Sequence, residues 1–198
     1  MKVVRCIQCV VVLHMLWLLI GCCSDTNIIL FEWKGLEAVN LDNTGVTPVE
    51  SSASGVPAVA YGIRARISRI DSPAARTSLF PTANACVGFD RHINRDTLLA
   101  VHIHAITPDT PDQPREVTDD FRVLLDPQAS LSNRIITIPT MIERLQREEV
   151  NIRDLNEDRI DFIRTEHALP SPGVRFIITM TLSGGKTFAD TTAAIALI

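Results

Sequence analysis

Residues 174–182 alternate in a period of two. Val174, Phe176, Ile178, Met180 and Leu182 are apolar, and between them stand Arg175, Ile177, Thr179 and Thr181. A period of two sends successive side chains to opposite faces of an extended chain, so this stretch is a strand with one buried face. Ser183-Gly184-Gly185-Lys186 follows, and glycines take the positive φ that a tight hairpin requires. Residues 187–198 then run back as its partner. The end of the chain is therefore committed to an antiparallel hairpin.

The same period recurs upstream. Tyr61, Ile63, Ala65 and Ile67 alternate with Gly62, Arg64, Arg66 and Ser68, which predicts a half-buried strand within 56–70 with both arginines on the solvent face. The other reading of Arg64 and Arg66, an anion-binding edge, finds no supporting residues nearby. Asp71-Ser72-Pro73 is expected to end this strand. Residues 98–106 place Leu99, Val101, Ile103 and Ala105 on one face and His102 and His104 on the other. Residues 27–33 are dense in β-branched and aromatic side chains, with Trp33 expected against the core. Shorter strands are expected at 85–89, 121–125, 133–138 and from 161, the last stopped by Pro170 and Pro172-Gly173.

One helix is predicted, over 140–147. Pro139 leads into it, Thr140 and Glu143 form a capping box, and Ile138 is the staple residue. The segments 41–54 and 107–120 are rich in Pro, Asp, Ser and Gly and read as long exposed loops. Six to eight antiparallel strands with one inserted helix and no βαβ unit fit a mainly β, two-sheet sandwich spanning 28–198.

The N-terminus is of another kind. Lys2 and Arg5 precede an apolar run from Val10 to Ile20, interrupted by His14. A short basic region before an apolar core is an export signal, and the run is shorter than the roughly 18–20 residues that span hydrocarbon. Leu19-Ile20-Gly21-Cys22 resembles the lipobox of bacterial lipoproteins. That resemblance implies a signal peptide over 1–21, diacylglycerol on the Cys22 sulfur, acylation of the new terminus and a tether over 22–27. Several acyl chains at ~0.8 kcal/mol per buried CH₂ make such an anchor practically permanent. Cys23 stands where Asp would signal inner-membrane retention, so the resemblance points to the outer membrane. The rival readings are an uncleaved anchor helix and an ordinary signal peptide cut elsewhere, for which Gly21-Cys22-Cys23 is a poor site.

Charge narrows the function classes. The formal net charge is −4, and Lys2 and Arg5 are the only charged residues among the first 21, so the remainder carries −6. That argues against nucleic acid, which is met by a basic face. Of the five cysteines, Cys6 and Cys9 lie in the leader and Cys22 takes the lipid; an oxidising compartment permits a Cys23–Cys86 disulfide. Gly184-Gly185-Lys186-Thr187 lacks the opening glycine and the helix of a phosphate loop. Asp42, Asn43 and Glu50 do not have the spacing of a calcium loop.

Two imidazoles at i and i+2 on a strand point the same way and can ligate zinc or copper. A structural or catalytic site at His102 and His104 needs a third ligand, from His92, Asp90, Asp96 or Glu116. No nucleophile or cofactor loop accompanies them, so the chain is expected to be no enzyme and to need no cofactor, with a metal-dependent enzyme using His102 and His104 as the alternative.

The leader, the strands IILFEW and VPAVAYGIRARI, and the closing hairpin around GGKTF together resemble an uncharacterised family of lipoproteins from Bacteroides-like bacteria, a domain of unknown function. The resemblance covers most of 22–198 and implies an exported, immunoglobulin-like sandwich without implying a ligand. The expectation is a lipid-anchored envelope protein with a protein-interaction or structural role. Its partner is expected to be another envelope protein, met through the segments 107–120 and 41–54. A glycan-binding module is the alternative, disfavoured because Trp33 and Tyr61 are the only Trp and Tyr after the leader.

Overall fold

The computed structural model describes residues 28–73, 91–125, 135–147, 158–165 and 171–198. The strand expected at 85–89, Cys22, Cys23 and Cys86 lie outside them. The chain divides into two compact units, one holding residues up to Glu32 together with 71–95, the other holding 33–70 and 96–198. In the first, the start of β1 (Ile28–Asp42) pairs in parallel with β5 (Arg91–Asn94). There Arg95 donates through its backbone N–H to the Phe31 carbonyl and through its side chain to Glu32.

The second unit is mainly β, with two sheets that pack on each other and one short helix among the described residues. β1 continues into it beside β2 (Val49–Glu50) and β4 (Tyr61–Pro73). β10 (Arg159–Arg164), β8 (Phe121–Leu124) and β9 (Ile135–Ile136) complete this sheet in the order β2-β1-β4-β10-β8-β9. The other sheet is centred on β11 (Ser171–Leu182). On one side it pairs with β6 (Leu98–Ile106), which in turn pairs with β7 (Arg115–Glu116). On the other side stand β13 (Ile195–Leu197), along the start of β11, and β12 (Thr187–Thr191), along its end, with β3 (Gly55–Val56) beyond β13. The pairings within this sheet are antiparallel except that of β3 with β13.

The alternation that predicted β11 is realised: Val174, Phe176, Ile178, Met180 and Leu182 are all buried. Gly184 and Gly185 both take positive φ in the turn to β12. The strand from 161 ends at Arg164, before Pro170, and Pro172 and Gly173 lie inside β11, which begins at Ser171. Ser171 pairs with Leu197 and Val174 with Ile195, so two residues face one, and Gly173 at φ 67° supplies the left-handed residue of a bulge.

The two inner faces meet through three rings. Tyr61 of β4 stacks on Phe176 of β11 at 4.9 Å, and Phe121 of β8 stands edge-on to Phe176 at 5.7 Å. Arg164 pairs with Asp120 at 3.0 Å and lies 5.9 Å from the Phe121 and Phe176 ring centres. A buried polar chain crosses the same layer. Tyr61 donates to Asn40 Oδ1 at 2.8 Å, and Asn40 donates to the Ala193 carbonyl at 2.9 Å. Thr192 Oγ1 accepts from the Phe176 N–H at 3.0 Å. These bonds satisfy the backbone where the return strand is interrupted between β12 and β13.

Three expectations need correction. Arg64 is not on a solvated face: it is 6 % exposed and forks onto Asp161, its cross-strand partner on β10, with two bonds of 2.7 Å. The alternation is right, but the neighbouring strand supplies a carboxylate that lets the guanidinium be buried; Arg66 is exposed, as expected. Leu99 points outward at 50 % exposure, and Leu98, at 2 %, takes the core position. The adjacent pair Thr181 and Leu182 faces Ala100 and Leu98, leaving Leu99 as the extra residue of a bulge. The helix, α1, spans Ile138–Gln146, and Thr137 is its cap, accepting from the Thr140 N–H. Pro139 therefore sits in the first turn, where a missing N–H leaves no bond unmade.

Candidate functional site

Two surfaces of the second unit gather side chains that the fold itself does not use. The first is an apolar rim. The turn after β1 carries Val46, 93 % exposed, and Val49 follows on β2. Asn43 N–H donates to the Ala60 carbonyl at 2.8 Å, tying this turn to the 3-10 helix Ala58–Ala60, whose Val59 is also exposed. Ala58 N–H donates to the Ile198 carbonyl at 2.9 Å, bringing exposed Ile198 to the same end. Backbone bonds thus tie together the segments that carry these four exposed aliphatic residues, of which Val46 and Val49 are also close in sequence. Only the 41–54 part of this rim was legible as a surface; Val59 and Ile198 carry no sequence signal that would place them beside it.

Below the rim, the outer face of the first sheet carries a row of charges. Arg64 reaches Glu50 at 3.1 Å as well as Asp161, and Arg66 bonds Glu50 and Glu37. Hydrogen bonds from Arg66, with help from Arg64, hold the Glu50 carboxyl below its ordinary range. These arginines are matched by carboxylates and do not form an anion site. The three residues weighed for calcium do not act together either, since Asp42 accepts from the Thr44 N–H while Glu50 is held by arginine.

The second surface is on β6. His102 and His104 stand side by side with ring centres 6.5 Å apart. Glu116, opposite His104 in the β6–β7 register, reaches diagonally so that its Oε1 lies 2.9 Å from His102 Nδ1. Thr118 donates to the same carboxylate at 3.1 Å. The bond from His102, then that from Thr118, lowers the Glu116 pKa. Of the expected third ligands that the structure describes, Glu116 is brought here and Asp96 is not. Asp96 instead accepts from the Trp33 N–H at 2.9 Å and pairs with Lys186, while Asp90 and the His92 side chain lie outside what the structure describes. Among the described residues, no three His, Cys, Asp or Glu side chains form a complete metal-ligand group.

Trp33 and Tyr61 are both buried, at 1 % and 0 % exposure, so neither is a platform for a sugar ring. The segment 107–120 is shorter as a loop than expected. Residues 107–114 are almost all exposed, but Arg115 and Glu116 join β6 as β7, and Val117 N–H bonds the Ile103 carbonyl. Among the described residues no helix is long and apolar enough to cross a membrane. No protein-family model, curated protein or solved structure matches the chain significantly.

Proposed function

We propose that this chain is a lipid-anchored protein of the cell envelope, held in the outer membrane through Cys22, whose immunoglobulin-like sandwich works as a non-enzymatic interaction module. The observation that carries the interaction role is the rim of Val46, Val49, Val59 and Ile198. Scattered exposed aliphatics are ordinary, whereas a set gathered at one end is the mark of a contact surface. The anchoring rests on Leu19-Ile20-Gly21-Cys22 after a basic, apolar leader. The partner class is another envelope protein, because aliphatic side chains and exposed loop backbone suit a protein surface better than a sugar ring, which stacks on aromatics.

The test is site-specific photo-crosslinking in native membranes, with the probe at residue 46, 59 or, as a control, 109. One discrete envelope protein should be labelled from 46 and 59, not from 109, and lost in V46D/V59D. Equal labelling from all three positions would overturn the rim assignment. Specific retention on a glycan array, with no protein labelled, would replace it with the carbohydrate reading.

A further inference from the structure

We propose that His102 and His104 form a chelating site for one divalent transition-metal ion, with Glu116 acting on the ion through His102. The pair stands on the outer face of β6, His102 exposed and His104 half-buried, and the site does not depend on the interaction role of the rim. The bond between Glu116 and His102 decides the chemistry. A carboxylate can only accept, so at neutral imidazole the Nδ1 of His102 must carry the proton. Nε2 is then left with its lone pair, the form in which imidazole binds a metal. A histidine whose second nitrogen donates to a carboxylate is the usual arrangement of a metal-ligating histidine, and the carboxylate raises its basicity. Thr118 in turn holds Glu116 by donating to it.

His104 supplies the second ligand. Two imidazoles bound to one ion hold their centres about 5 Å apart, given metal–nitrogen bonds of about 2.0–2.1 Å. The observed 6.5 Å closes to this by a small rotation of the His104 ring while His102 stays on Glu116. Two protein ligands leave the remaining positions to water, so the site differs from a closed structural centre, and no reaction step is assigned to it. Imidazole donors select copper, nickel and zinc over magnesium and calcium, with Cu²⁺ the tightest divalent ion.

The experiment is titration of the detergent-extracted full chain, thiols alkylated, with Ni²⁺ and Zn²⁺ by calorimetry and with one equivalent of Cu²⁺ by electron paramagnetic resonance. We expect one ion per chain, two nitrogen ligands in the copper spectrum and no response to Mg²⁺. H102A and H104A should each weaken binding at least tenfold, whereas H92A should not. E116Q should weaken it by about 10-fold or more while the two-nitrogen copper signature persists. Unchanged melting of E116Q without metal would separate this from misfolding. Binding that survives in H102A/H104A, or a copper spectrum with one nitrogen in the parent chain, would overturn the proposal; unchanged affinity in E116Q would overturn the part given to Glu116.

Discussion

Arg64 shows how a correct pattern can carry a wrong inference. Its place in the alternation of β4 was legible, because a period of two needs only one strand. Its burial was not, because Asp161 lies on a strand 97 residues away. The consequence is asymmetric between neighbours. Removing one partner of a buried pair leaves the other charge without compensation, at a cost of about 3–5 kcal/mol, while an exposed pair is screened by solvent and contributes little. R64A should therefore lower the urea midpoint severely and R66A only slightly, although the two residues are two apart on one strand. R64M/D161L should recover most of the loss, since a buried pair contributes little over well-packed apolar groups. Glu50 adds a pH dependence. Its folded-state pKa is depressed, so its contribution is present above the unfolded value, about 4.5, and is lost as pH falls through the folded value. Denaturation of E50Q should be easier than that of the parent at neutral pH, with the gap closing in acid; a gap that widened in acid would refute the pairing.

At the scale of elements, the longer strands and the helix were legible, whereas register and the short strands β2, β3, β5 and β7 were not. The strands of 98–106 and 174–182 were foreseeable because each carries its own alternation. The bulges in both pairings were not, because they arise from the fit of one strand to another. Leu99 was placed inward by counting alternate residues, and the bulge opposite Thr181 and Leu182 turns Leu98 inward instead. The swap is measurable. L98A removes a fully buried side chain and should cost about 2–5 kcal/mol, whereas L99T at an exposed strand position should stay within about 0.5 kcal/mol. Chemical denaturation of the two variants decides which leucine is in the core. The helix cap failed for a related reason: Thr137 and Thr140 both fit an N-cap pattern, and only the entry of the chain from β9 selects the first.

At the scale of the molecule, the two proposed binding surfaces and the proposed anchor are independent in chemistry, which makes the scheme testable as a whole. The rim uses aliphatic side chains that neither sheet needs, and the histidine pair stands on the outer face of the second sheet. Both were half visible beforehand: 41–54 and His102-x-His104 have local signatures, but Val59, Ile198 and the diagonal reach of Glu116 depend on pairing across the fold. The proposed anchor at Cys22 rests on sequence alone, on the resemblance of Leu19-Ile20-Gly21-Cys22 to a lipobox. If Cys22 serves only as the point of acylation, C22S should move the protein from the membrane to the soluble fraction and remove the mass of the acyl chains. Two acyl chains give an effectively permanent attachment and none gives no affinity of this kind, so the redistribution should be nearly complete. Crosslinking from residues 46 and 59 should then fall through loss of membrane co-localisation, while the urea midpoint and Ni²⁺ affinity stay unchanged. A C22S protein that remained membrane-bound would locate the anchor in an uncleaved leader helix, and one that lost its folding transition would assign Cys22 a structural role.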